Sequence, residues 1–272
     1  MKPIIKWAGG KGRLLTQLKL LLPADIESRR YVEPFFGGGA MYFDLQPQNA
    51  CIADINVDLI NMYIQVATNV DLVISNLRWY AEFHDEEFYY KIRTRYNSNP
   101  ELVRATRAAM FLYLNKTCFN GLYRVNKKGE FNVPIGSYKN PNIVNEEVLR
   151  EASTQLSDIS MLCTGFESVP TFAHAGDFVY FDPPYEPVSK TANFTAYTPG
   201  GFTQQDQTDL RDVFVELDRK GCKVMLSNSD VPFIRDIYQD FNITEILAAR
   251  SINSKGVGRG VVSEVVIRNY HE

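Results

Sequence analysis

Four consecutive apolar residues, Phe178-Val179-Tyr180-Phe181, run directly into Asp182-Pro183-Pro184-Tyr185. So short an apolar run, bounded by turn residues, reads as a strand buried on both faces, as in parallel sheets covered by helices. Open α/β sheets bind ligands at the carboxyl ends of their strands, where Asp182 to Tyr185 stand. Proline fixes its own φ and drives the residue before it toward extended conformations, so Pro183 constrains Asp182 and Pro184 constrains Pro183. The corner is stiff. It can present the Asp182 carboxylate and the Pro183 carbonyl as two fixed acceptors, with the Tyr185 ring beside them. That set suits the exocyclic amino group of a planar base. The competing structural reading is a strand that ends in a Pro-Pro turn, with Asp182 capping whatever follows.

Elsewhere the same alternation of strand, turn and helix recurs. Tyr31-Val32-Glu33-Pro34 reads as a strand entering Phe35-Phe36-Gly37-Gly38-Gly39-Ala40, with a helix from near Met41. This is the first nucleotide-binding crossover of a doubly wound sheet. Its glycines do not fit GxGxxG and are bracketed by aromatics, which disfavours a dinucleotide pyrophosphate. The next strand, Cys51-Ile52-Ala53, ends in Asp54, an acid placed to accept both ribose hydroxyls. A helix cap is the alternative for Asp54, and Asn56 could fill that role equally. Together the glycine turn and Asp54 point to a bound adenosine moiety. Upstream, Lys6-Trp7-Ala8-Gly9-Gly10-Lys11 precedes a helix with apolar Leu14, Leu15, Leu18, Leu21 and Leu22. Trp7 offers a face, Lys11 a charge for a carboxylate, and the glycines a close backbone approach. An ordinary glycine-rich turn is the alternative, and the spacing is not that of a phosphate loop.

Helical patterns cover 57–80, 85–97, 101–117, 146–156 and 204–220, and further strands are expected at 161–163, 223–226, 243–251 and 261–269. The last two are joined by a glycine-rich loop holding Lys255 and Arg259, so the final strand must be antiparallel in an otherwise parallel sheet. Residues 120–125 and 130–134 flank Asn126-Lys127-Lys128-Gly129 as a hairpin. Residues 191–201 form a polar, aromatic stretch that is either a lid or a mere connection. Residues 1–56 and 145–272 therefore read as one sheet domain, interrupted by an insert over 57–144.

Charge gives the insert a purpose. The chain carries −3 overall, yet residues 91–140 hold ten Lys or Arg against two acids, a block of +8 inside an acidic remainder. An all-one-sign block of this kind is the electrostatic footprint of a phosphate-binding face, although a solvated surface is the plainer alternative. At 272 residues and 45% hydrophobic, the chain is long enough for one large domain or a core with an insert. It holds no run of the roughly 18 apolar residues that span a membrane, and reaches Trp7 too early for a signal peptide. A cytoplasmic protein, associated with the nucleoid through DNA, is the expectation. The four cysteines form no CxxC pair and the three histidines are scattered, so neither a metal site nor a disulfide framework is expected.

The motif order Lys6 to Lys11, Glu33 to Gly39, Asp54, basic insert and Asp182 to Tyr185 resembles the Dam-type DNA adenine-N6 methyltransferases of the D12 class, in their GATC-recognising group. The resemblance covers nearly the whole chain. It implies an α/β, doubly wound, mixed seven-stranded methyltransferase sheet with one antiparallel hairpin strand, and a target-recognition insert of helices and a hairpin. S-adenosylmethionine is the implied donor, held by Trp7, Lys11, Phe35, Gly37, Gly39, Asp54 and Asp182. The implied substrate is double-stranded DNA, with Asp182, Pro183, Pro184 and Tyr185 acting on a flipped-out adenine. Lys6, Leu122, Arg124, Pro134 and Tyr138 would read or shape the target, while Asn120 and Phe119 would fill the space beside the flipped base. Phe119 stands where the family pattern leads one to expect tyrosine. Arg95, Lys116, Asn126, Asn132 and Lys139 complete the implied DNA-facing set. A longer site beginning GAT, as in a restriction-modification pair, is the alternative target, and a monomer without metal is expected. No cysteine follows a proline, so the resemblance does not extend to cytosine-C5 enzymes. Three rivals remain in view: a nicotinamide oxidoreductase, a methyltransferase acting on cytosine N4 or RNA, and a DNA-binding regulator without catalysis.

Overall fold

Seven short segments rich in β-branched and aromatic residues pair side by side in the computed structural model, which describes residues 1–188, 201–249 and 261–271. They are Tyr31–Glu33 (β1), Ala50–Asp54 (β2), Ser160–Cys163 (β3), Phe178–Phe181 (β4), Lys223–Ser229 (β5), Asn242–Ala249 (β6) and Val261–Arg268 (β7). Among the described residues they form one sheet in the order β3-β2-β1-β4-β5-β7-β6. β1 lies parallel to both β2 and β4, and β3 and β5 extend the parallel set on either side. β7 runs antiparallel between β5 and β6, as the sequence predicted. The expected lid residues 191–200 and the loop carrying Lys255 and Arg259 lie outside the described residues.

Strand order reverses between β1 and β4, and at such a switch point the crossover connections part and leave a crevice beyond the carboxyl ends. Glu33 ends β1 at that edge and Asp182 follows β4 there. Both strands are buried on both faces, which explains their unbroken apolar character. Side chains alternate between two cores. Tyr31, Phe178, Tyr180 and Val266 face a cluster shared with Leu59, Tyr63, Leu112 and Tyr113. Val32, Val179, Phe181 and Ile267 face a second cluster with Leu210, Phe214 and Leu217 of helix Gln204–Lys220. That helix begins with a reciprocal capping box between Thr203 and Asp206 and stops at Gly221, whose φ of 87° suits a residue without a Cβ.

Three points of the structure differ from the expectations or add to them. The helical pattern over 57–80 is two helices, Val57–Thr68 and Val70–Glu82, bent by 111°. Asn69 leaves the helical region there and its amide donates to Gln65 and Thr68, while the second helix turns to bury Val73, Ile74, Leu77 and Tyr80. Apolar periodicity runs straight through a one-residue break, so the sequence hides it. Second, helix Val57–Thr68 packs on β2 and β3 as well as on helices Glu146–Leu156 and Arg104–Thr117. The insert expected from residue 57 thus shares one continuous core with the sheet. Third, the hairpin over 120–134 pairs only through isolated bridges, Cys118 with Ile135 and Val125 with Phe131. Asn120 and Gly121 adopt φ of 55° and 63°, and Pro134 lacks an N–H, so a regular ladder cannot form. No single helix among the described residues is long and apolar enough to cross a membrane.

Candidate active site

The crevice at the switch point holds a cavity of about 880 Å³, near the upper end of small-molecule pockets. Its floor is the tips of β1, β2, β3 and β4; its walls are Trp7 to Lys11 on one side and Phe166 and Phe202 on another. Tyr123, Val125 and Gly129 of the hairpin also reach it. Every residue of the sequence-derived donor and catalytic sets lines this one cavity: Trp7, Lys11, Phe35, Gly37, Gly39, Asp54 and Asp182 to Tyr185. The structure brings them together from segments more than a hundred residues apart in the chain.

The proline corner is tied at several polar points. Lys11 Nζ pairs with Asp182 Oδ1 at 2.7 Å, donates to the Gly9 carbonyl at 2.9 Å and stands 4.3 Å from the Tyr185 ring centroid. Lys11, read from sequence as a charge for a ligand carboxylate, is thus engaged with Asp182. Burial pushes the Asp182 carboxyl above its ordinary range, and the Lys11 ammonium works against that shift. Gln207 Nε2 donates to the Pro184 carbonyl at 3.0 Å, and Asn228 Nδ2 donates to Gln207 Oε1 at 3.0 Å. Asn228 Oδ1 accepts from the Glu186 N–H at 3.1 Å, and Ser229 Oγ donates to the Glu186 carbonyl at 2.7 Å. The Tyr185 hydroxyl donates to Glu264 Oε2 at 2.8 Å. Among the described residues the Pro183 carbonyl receives no hydrogen bond.

Beside the corner, the glycine turn is shaped by aromatic packing. Gly37 has φ of 48°, and a Cβ there would stand 2.7 Å from the Trp7 indole. Trp7 in turn stacks on Tyr123 at 5.3 Å between centroids, so cofactor loop and hairpin meet through one ring pair. Asp54 accepts from the Gly37 N–H at 3.0 Å and the Asn56 N–H at 2.9 Å, while Asn56 caps helix Val57–Thr68. Burial raises the Asp54 carboxyl to about 6, opposed by those N–H donors. Glu33, outside the sequence-derived set, lines the cavity as well; burial pushes its carboxyl well up and the Tyr31 hydroxyl donates to it at 2.8 Å. Phe166 could have been found, because it follows a strand tip as Asp182 does. Asn228 carried the same signal, two residues past the expected strand 223–226; Gln207 and Glu264 carried none.

The DNA-facing set is distributed less evenly. Lys6, Tyr138, Leu122, Lys116, Phe119, Asn120 and Pro134 gather around the turn that follows helix Arg104–Thr117. Lys6 Nζ contacts the Tyr138 hydroxyl at 3.4 Å, and its aliphatic stem fills the space where a Cβ on Gly121 would be. Burial lowers the Lys116 ammonium, and the neighbouring Lys6 charge lowers it further. The Phe119 N–H donates to the Pro134 carbonyl at 2.9 Å, and the Phe119 ring is 49% exposed. Arg124 Nε donates to Asn132 Oδ1 at 2.7 Å, so Asn132 aims the guanidinium. Asn126 organises its own turn, accepting from the Lys128 and Glu130 N–H groups and donating to the Glu130 carboxylate. Lys139 is exposed, and Arg95 is exposed on helix Glu86–Ser98, joined to this group by no contact among the described residues.

The cavity's charge suits a cationic ligand. Among its lining residues Asp54, Glu167, Asp182 and Asp206 outnumber the single lysine, even with Asp58 paired to Arg107 and burial disfavouring the charge on Glu33. S-adenosylmethionine brings a sulfonium and an ammonium, and the residues present fit it. No cluster of three potential metal ligands occurs among the described residues. Comparison with known proteins agrees. The family model for D12 class N6 adenine-specific DNA methyltransferases matches residues 7–252. Type II methyltransferase M.MjaIII of Methanocaldococcus jannaschii is 44% identical over 99% of both chains. Type II methyltransferase M1.LlaDCHI of Lactococcus lactis subsp. cremoris is 43% identical over 99% of this chain and 96% of its own. The DNA adenine methylase of Vibrio cholerae is 37% identical over 97% and 95%. The matched span contains every residue that lines the cavity, and on both counts this chain belongs to the D12 class of N6 adenine-specific DNA methyltransferases.

Proposed function

We propose that this enzyme methylates N6 of an adenine swung out of duplex DNA into the cavity, within the sequence GATC. The observation that carries the reading is the proline corner: Gln207 and Asn228 hold the Pro184 carbonyl and the Glu186 N–H, while Asp182 and Pro183 line the cavity and the Pro183 carbonyl accepts no hydrogen bond among the described residues. Adenine N6 is a poor nucleophile because its lone pair is delocalised into the ring. Acceptance of its two N–H groups by Asp182 and Pro183 favours the pyramidal nitrogen of the transition state. Lys11 supports that role by keeping the buried Asp182 ionised. Tyr185 supplies the surface on which the extruded base stacks. Once N6 becomes cationic, its proton passes to Asp182 or to water.

S-adenosylmethionine, when bound, supplies the methyl group on a cationic sulfur. Trp7, Phe35 and the glycine turn would hold it, with Asp54 accepting from the ribose hydroxyls. Across the hairpin, Lys6, Leu122, Arg124, Pro134 and Tyr138 read the target, and Phe119 with Asn120 fills the space the base leaves. The likeness to enzymes named DNA adenine methylases supports adenine as the target base, and the motif order of the GATC-recognising group supports GATC. The higher identity to two enzymes named type II methyltransferases supports a role beside a restriction enzyme; a longer GAT-containing site is the second reading of the target. Treating a plasmid with enzyme and donor, then digesting with nucleases blocked by or indifferent to GATC methylation, separates the two. Protection at all GATC sites and N6-methyladenine by nucleoside mass spectrometry are expected. Protection at a subset leaves only the longer site, and methylated cytosine sinks the mechanism.

A further inference from the structure

A stacking surface works only if it is held in place, and a tyrosine ring swings with the torsions of its side chain unless its far end is fixed. The structure constrains Tyr185 from two sides. Lys11 Nζ lies 4.3 Å from the ring centroid, covering one face, so a base can reach only the other. The hydroxyl donates to Glu264 Oε2 at 2.8 Å. Glu264 owes its place to the reversed strand. Because β7 runs antiparallel to β5, its beginning rather than its end stands at the ligand-binding edge, with Glu264 opposite Ser229. It shares a sheet face with Val266, which is buried in the core shared with the insert helices. Glu264 lies beyond the span matched by the family model and bonds Tyr185 rather than a reacting atom, while its charge favours the protonated form of Asp182.

We propose that Glu264 is a positioning residue for methyl transfer, which by anchoring the Tyr185 hydroxyl holds the ring in the place where the extruded adenine stacks. The proposal rests on the reading of Tyr185 as that stacking surface. Its test uses the full enzyme with S-adenosylmethionine and duplexes carrying adenine or fluorescent 2-aminopurine at the target position. Glu264→Ala is expected to lower kcat about tenfold while KM for the donor and DNA affinity stay within about twofold. It also brightens bound 2-aminopurine, because a loose ring quenches less. Glu264→Gln, which keeps an acceptor, restores most of both signals. Tyr185→Phe reproduces Glu264→Ala, and combining the two adds nothing further.

Unchanged kcat in Glu264→Ala, or losses that multiply in the double variant, overturns the proposal. If Glu264→Ala does not fold, the near-isosteric Tyr185→Phe still decides: wild-type kcat and fluorescence in that variant overturn it. Tyr185→Ala separates the two layers. Full activity there removes Tyr185 from the site and the proposal with it, whereas lost activity beside a normal Glu264→Ala counts against Glu264 alone.

Discussion

The proline corner and the tip of the hairpin proposed to read DNA are both short, irregular and polar, and they are held in opposite ways. At the corner, side chains from the Gln204–Lys220 helix, from β5, from β7 and from the N-terminal turn each fix a neighbouring group. Gln207 and Asn228 are fully buried in doing so. The hairpin's return strand is pinned by Asn97 on Phe131 and by Tyr89 on Val133, but its tip ties only itself through Asn126, and Phe119, Lys127 and Lys128 stand in solvent. Reaction geometry explains the first, since a displacement of about 1 Å between reacting atoms costs on the order of a hundredfold in rate. Phosphate recognition explains the second, because solvated cations gain by meeting a polyanion and releasing its counterions. Rigidity sits where distance decides, and freedom where the partner must be met.

The contrast breaks first at Asp182. Asp182→Ala is expected to lower turnover by about a thousandfold or more, because an acceptor aimed at developing charge is lost. Specific DNA binding in gel shift is retained, as the hairpin is untouched. Rapid methylation by the purified variant would return Asp182 to the rank of a turn residue. The same carboxylate sets a pH dependence. Protonation leaves a carbonyl acceptor but removes the negative charge that stabilises the developing cation, and burial raises the pKa, so kcat falls with falling pH already above the ordinary carboxylate range. Lys11 opposes the shift, and Lys11→Met moves that fall to higher pH.

Gln207→Leu tests whether the clamp matters as much as the carboxylate. The change keeps the helix and the volume but strands the Pro184 carbonyl and the Asn228 amide, a cost of about 1 to 3 kcal/mol in denaturant unfolding. Turnover falls as well, by less than for Asp182→Ala, with DNA affinity unchanged. Loss of stability at full turnover would show that the corner is rigid without the clamp.

Legibility follows the same division. The corner could be read because proline acts on its immediate neighbours, so four residues carry their own geometry. The reversed β7 could be read because a short connection between strands leaves no other direction. Gln207 could not: a polar residue at a core position of a helix breaks the pattern, and its partner is backbone twenty or more residues away. Glu264 was hidden for a related reason, since it opens a strand whereas ligand-binding residues were sought at strand ends. In the hairpin, alternation and a glycine turn suggested a ladder, but the left-handed pair Asn120-Gly121 interrupts it.

Within the hairpin, Arg124→Ala is expected to relax target choice by about 1 to 3 kcal/mol, as for a side chain read against a base edge. Its guanidinium is aimed by Asn132, so Asn132→Ala gives part of the same effect without removing charge. Competition between GATC duplexes and singly substituted ones measures both. Equal discrimination by wild type and Arg124→Ala would make Arg124 a phosphate contact.

Lys127 gives the smallest effect and the cleanest contrast. It is exposed on the turn, and among the described residues no carboxylate pairs with it. A cation of that kind meets phosphate and reads no base, so Lys127→Ala should weaken cognate and non-cognate duplexes alike, by about 1 kcal/mol or less. The slope of log affinity against log salt should drop by about 1, one contact's worth of counterions. Turnover at saturating DNA should not change, because nothing at the corner depends on this residue. A selective loss at GATC would place Lys127 on a base edge; a loss of kcat would mean that the loosely held region and the tightly held one are mechanically joined, through the Trp7 and Tyr123 rings that connect them.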